Sequence, residues 1–401
     1  MKIHIIFYAV IFVLFTSCAS SPSPVLPPVA LQALTNQLDI DLLWTQRFGN
    51  GVGDNYLKFQ PTSYNNAIVY LDHTGKLFSL DKKTGNVNWQ RDFNLPVSSQ
   101  FLIFENKIVF GTSQGDLIMA QIDSGEIVWR KKFNSEILSK AAISDGYLVI
   151  NTVDGYLYGL DVNTGNQRWF YNRTVPVLTL RGSSSPIITN GIVLSGFDNG
   201  KLIALTLNTG RVIWDTTIAL PSGSTEIERI IDVNIIPIVK DDLVYIATYQ
   251  GRLAAIELTS GKIVWSRELS IFNDIKVDAF RVYVTAADSR IWALDRKNGA
   301  TLWKQDALVR RNVTGPVLFH DQLIVGDFNG YLHWMSRKDG KLLSRVQIGE
   351  AVVKNNPADD LNSYFDTHIS KVGNILSVPI IFDNTLYATN RYGDVHAYSS
   401  D

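Results

Sequence analysis

Side chains suited to chemistry are sparse in this 401-residue chain. Its six histidines, His4, His73, His320, His333, His368 and His396, form no His-Glu-x-x-His run or comparable ligand spacing, so no metal centre is expected. Asp198-Asn199-Gly200 and Asp327-Phe328-Asn329-Gly330 carry the donor types of a calcium loop, but each lies where a β-hairpin needs a turn, and the turn is the reading they favour. The run Gly49-Asn50-Gly51-Val52-Gly53-Asp54 lacks the Lys-Ser/Thr pair of a phosphate loop, and no helical pattern follows it. It reads as a pliable connector. The only thiol is Cys18, so no internal disulfide can form even in an oxidising compartment. These residues point away from catalysis and from a bound cofactor.

Cys18 acquires meaning from its neighbours. Lys2 and the apolar run Ile5 to Phe15 read as an export signal, residues 1–17, too short to span a bilayer. Small residues just before the lone Cys resemble a bacterial lipobox, with Phe15 where Leu is usual. Cleavage there and acylation of Cys18 would anchor the mature chain firmly, since each buried methylene contributes about 0.8 kcal/mol. Ala19 rather than Asp after the Cys points to the outer membrane. From Cys18 to Leu38 the chain reads as a lipidated residue and a Pro/Ser-rich tether, with the Pro and Ser concentrated between Ala19 and Ala30.

The remainder, residues 39–401, is one repeating unit of about 40 residues. A strand-opening slot, often Pro, precedes a Gly, or Ser289 in one unit, then a second Gly, then a Trp, at constant spacing. The second glycines, Gly85, Gly125, Gly165, Gly210, Gly261, Gly299 and Gly340, close turns of Asp-x-x-Thr-Gly type. The tryptophans are Trp89, Trp129, Trp169, Trp214, Trp265 and Trp303, with Ser344 in the seventh slot. Short β-branched and aromatic runs between these landmarks give four strands per unit, the pattern of an all-β, eight-bladed propeller of antiparallel blades. The eighth unit, from Pro379, ends before its outer strand. Asp41-Leu42-Leu43-Trp44 carries the unassigned Trp and is expected to close the ring.

Spacing within blades is constant, whereas the connectors between them vary. From each Trp slot to the next strand-opening slot the distance is 10 to 13 residues after Trp89, Trp129, Trp265 and Trp303, but 17 to 35 after Trp44, Trp169, Trp214 and Ser344. All connectors emerge on one face, and gathered insertions mark a binding face. The region Glu350 to Ile375 belongs to the longest of them and has no assigned role. Lys+Arg at 37 against Asp+Glu at 38, without a basic stripe, argues against nucleic acid as a partner.

Thr-Gly turns with blade tryptophans are similar to those of the pyrroloquinoline-quinone dehydrogenases. That family holds its quinone with calcium-ligating acidic residues and often a vicinal disulfide, for which this chain has no Cys pair. A resemblance along the whole chain is to the BamB family of outer-membrane assembly lipoproteins. It rests on GNGVGDNY (Gly49 to Tyr56), LTLRG (Leu178 to Gly182), GSTEIERIIDVN (Gly223 to Asn234), VNWQ, IVWSREL and VGDFNGYLHW (Val325 to Trp334). The resemblance implies a non-catalytic, lipid-anchored scaffold on the periplasmic face of the outer membrane. It further implies docking on a POTRA domain of BamA within the β-barrel assembly machinery, through Leu178, Leu180, Arg181, Asp232 and Asn234. The family usually has Asp where Asn234 stands. Leu178 and Leu180 before Arg181 offer apolar anchors beside a bidentate donor, and Asp232 is expected to orient Arg181 or to pair with a basic partner residue. Exposed blade edges offer nascent barrel strands a place to pair. A quinoprotein dehydrogenase and a generic ligand-binding propeller are the alternatives.

Overall fold

The computed structural model describes residues 26–180, 184–348 and 374–400. Within them the chain forms eight four-stranded antiparallel sheets, each running from an inner to an outer strand, with no helix. Seven blades are sequence-continuous. The eighth takes its outer strand from Ile40–Arg47, which pairs antiparallel with Asp394–Ser400, from Ile40 opposite Ser400 to Arg47 opposite Asp394. The ring is therefore closed by the N-terminal strand, as the orphan Trp44 led us to expect, and no sheet is left with an open end in sequence.

Apolar alternation builds the core. The second and third strands of each blade, such as Ala67–Leu71 with Lys76–Asp81, are buried on both faces between neighbouring blades. Outer strands such as Val87–Asp92 are largely exposed. The tryptophans fasten one blade to the next. Trp44, Trp129, Trp169, Trp214, Trp265 and Trp303 each donate their indole N–H to a backbone carbonyl in the following blade's Thr-Gly turn, at 2.7 to 3.0 Å. The glycine of that turn lies under the ring. Blade eight has no such turn, because its third and outer strands come from opposite ends of the chain. The N-terminal segment lies on Ser344 instead, with Gln37 and Leu38 N–H groups both donating to its hydroxyl, so the buried seventh slot holds a small side chain.

Gly49 to Asp54 is less pliable than expected. Gly51 has φ 58°, and a Cβ there would sit 2.1 Å from the Arg391 carbonyl oxygen. Val52 N–H donates to that same carbonyl and His73 N–H to Gly51, so the stretch is fitted between blades eight and one. The described part of the tether, residues 26–38, lies bound along blade seven rather than running free. Cys18 and the 350–373 part of the long connector lie outside the described residues.

Candidate docking site

The elaborated face is built from connectors that link each outer strand to the next inner strand, together with the hairpins between second and third strands. Leu178 and Leu180 lie in the connector from Gln167–Asn172 to Ile187–Thr189, and Asp232 and Asn234 in the one from Val212–Thr217 to Ile238–Lys240. They flank blade four. Ile230, Ile231, Val233 and Ile235 are buried, which holds the second connector down on the blade. Within it, Thr225 and Glu228 form a capping box: Glu228 accepts N–H bonds from Ser224 and Thr225, and Thr225 accepts one from Glu228. That turn presents Ile227, 67% exposed.

The two connectors are joined by one charged hydrogen bond. The Asp232 carboxylate accepts the backbone N–H of Leu180, 52 residues away. Ser184 donates to the Ile235 carbonyl at 2.8 Å, and the Asp232 carbonyl accepts from Tyr249 N–H at 3.0 Å. Asp232 is only 1% exposed. Asp232 is thus a brace beneath the first connector; its burial is at odds with the expected pairing to a basic partner residue, and the other expectation, that it orients Arg181, falls on a residue outside the described ones. Arg181 lies outside the described residues. Leu178 is 40% exposed and Leu180 partly so, and neither belongs to the propeller core. Asn234 is half-buried beside the Asp232 carboxylate. Val177, Leu220, Ile227 and Ile236 extend the apolar surface and were not singled out from sequence; GSTEIER, placing Ile between charged residues in a long connector, carried the available signal for Ile227.

Electrostatics reinforce the brace. Burial raises the Asp232 carboxyl to about 6, opposed by the Leu180 N–H and the Asn234 amide. Asp198, in the adjoining hairpin, is pushed up to about 8 by burial and then by the charge of Asp232. Both shifts mean that the folded state holds protons the unfolded chain releases above its ordinary value of 3.8. Their contribution to stability is therefore largest at low pH and is lost as pH rises through about 6 and then about 8. Asp198→Asn should raise the thermal midpoint over wild type at pH 8 but not at pH 4, by on the order of 1 kcal/mol after screening of this partly exposed group. Parallel melting curves at both pH values check it, and equal gains would refute it.

Among the described residues, the groups suited to chemistry serve turns and core packing. Asp327 accepts N–H bonds from Asn329 and Tyr331 and is paired with Arg311 at 2.8 Å and His333 at 3.1 Å, which is turn and core architecture. Gly111-Thr112-Ser113-Gln114-Gly115 matches the spacing of a hydrolase nucleophile elbow, yet it is a hairpin between Lys107–Gly111 and Asp116–Gln121, not a strand-to-helix turn. Ser79, three residues before Lys82, is buried within a strand. No group of three or more His, Cys, Asp or Glu that could hold a metal is found among the described residues.

A family model described as outer membrane protein assembly factor BamB matches residues 73–305. The chain is 40% identical to the BamB of Kangiella koreensis over 387 residues, covering 96% of this chain and 94% of that one. With the BamB of Pseudomonas aeruginosa it shares 41% identity, covering 85% and 90% respectively. The chain belongs to the BamB family. A crystal structure of BamB from Moraxella catarrhalis superposes with TM-score 0.76 at 25% identity, covering 90% of this chain and all of that one. Quinohemoprotein alcohol dehydrogenase from Comamonas testosteroni matches with TM-score 0.68 at 13% identity, covering 90% of this chain and 76% of that one; this likeness is one of fold alone. In this chain Asp232, in IERIIDVN, braces Leu180, in LTLRG.

Proposed function

We propose that this chain is a non-catalytic scaffold of the outer-membrane β-barrel assembly complex, assisting the folding and insertion of outer-membrane proteins. It docks on a periplasmic POTRA domain of BamA through Leu178, Leu180 and Arg181, with Asp232 and Asn234 shaping the loop from beneath. Acyl chains on Cys18 hold it at the periplasmic face of the outer membrane. The observation that carries the reading is the pair of long connectors, pinned together by Asp232 and presenting exposed aliphatic side chains beside polar ones. That is the composition of a hot spot with a polar rim.

Affinity purification of the tagged full chain from detergent-solubilised membranes should recover BamA and the rest of the complex. Recovery of the chain without BamA would overturn the docking reading. The quinoprotein alternative is supported by the shared propeller alone, and a dye-linked dehydrogenase assay of the quinone-supplemented chain separates the two.

A further inference from the structure

Three arginines grip the N-terminal segment at the seam of blades six and seven. Arg310 Nε donates to the Pro27 carbonyl at 2.7 Å, Arg311 Nη1 to Val29 at 3.2 Å, and Arg345 Nη1 to Gln32 at 3.2 Å. Val29 N–H answers with a bond to the Val309 carbonyl at 3.1 Å. Farther along, Asn36 exchanges two hydrogen bonds with the Arg345 backbone, and the N–H groups of Gln37 and Leu38 both donate to Ser344 Oγ. Leu31 packs against the cluster containing Trp303 and Leu308, and Leu38 against that containing Trp334. Arg311 is itself rigid: it is 4% exposed, paired with buried Asp327 and laid over the Phe328 ring at 5.1 Å.

The route of this strap has a direction. Val309 to Arg311 lie in the connector between Thr301–Gln305 and Val317–Phe319, on the same face as the docking loops; from there the strap follows the outer strand Leu342–Gln347 to the far face and turns into Ile40–Arg47. We infer that the strap fixes which edge of the propeller is held against a lipid surface: the connector face at the seam of blades six and seven. This rests on the Cys18 anchoring proposed above. Eight residues separate Cys18 from Pro27, a reach of at most about 30 Å when fully extended; without the clamp the first fixed residue is Ile40, and the reach grows to about 75 Å. A leash of the longer kind leaves either face free to meet the bilayer. The shorter one keeps the anchor and the docking surface on one side.

The test uses the full lipidated chain in phospholipid vesicles, with a donor dye on an introduced cysteine and acceptor-labelled headgroups. Ala287→Cys places the dye on the connector face of blade six, and Lys338→Cys on the opposite face of blade seven. Energy transfer from position 287 should exceed that from position 338 at least twofold. Arg310→Ala with Arg345→Ala, leaving Arg311 and its core ion pair intact, should collapse that difference and speed amide exchange at Gln37 and Leu38 at least tenfold, with vesicle flotation retained. Chains that float but show equal transfer at the two positions, or double variants that keep the difference, would overturn the clamp. Chains that do not float would overturn the anchoring beneath it.

Discussion

Arg181→Glu should abolish co-purification of BamA while leaving the melting temperature of the propeller unchanged. The Asp232 carboxylate holds the backbone of Leu180, and Leu178 is partly exposed. A guanidinium can form two parallel hydrogen bonds to a carboxylate of the partner, and reversing its charge costs about 2 kcal/mol or more in binding, roughly 30-fold. Asp232 acts differently. Asp232→Ala should also weaken recovery, by about tenfold, because it releases Leu180 and leaves an unpaired N–H under the loop. Asp232→Asn keeps an acceptor oxygen and should restore most of the binding, which a direct ionic contact of Asp232 with the partner would not allow. Undiminished pull-down by Arg181→Glu sinks the docking assignment. Failure of Asp232→Asn to rescue sinks the brace.

Gly210→Val should produce the largest loss of stability. Gly210 has φ 65°, a conformation a β-branched residue adopts only with strain. A Cβ would lie 2.6 Å from Cε3 of Trp169, whose indole N–H is bonded at 2.7 Å to the Leu207 carbonyl in the same turn. Backbone strain and displacement of a buried tryptophan therefore add, for a combined cost of about 3 to 4 kcal/mol and a fall in thermal midpoint of about 5 °C. Gly146→Val serves as the control, since Gly146 has φ 78° but nothing lies within 4 Å of a Cβ there; it carries the backbone strain without the tryptophan clash and should lose less. A Gly210→Val chain that melts with wild type would show that the Trp-on-Gly seam is not what joins the blades.

The blade count and the ring closure at Trp44 were legible because they rest on local, periodic signals: turn glycines, alternating strands and one aromatic per unit at fixed intervals. The elaborated face was legible for the same reason, since connector length is counted along the chain. The seventh slot shows the limit. Ser344 read as a missing tryptophan, whereas in the folded ring its hydroxyl accepts two N–H bonds from a segment more than 300 residues earlier.

The docking surface divides along the same line. LTLRG and IERIIDVN pointed to two long connectors, and Leu178 and Leu180 lie outside the buried core. That Asp232 lies buried, braces Leu180 and acts electrostatically on Asp198 was decided only when two connectors flanking blade four folded toward each other. The strap on blade seven was decided likewise: a Pro/Ser-rich stretch looks like a free tether until three arginines from distant positions meet its carbonyls. Repetition along the chain was enough to determine how many blades there are and where the ring closes. Burial, charge pairing and the path of the N-terminus depend on which surfaces come together across the ring, and that was settled by the tertiary structure.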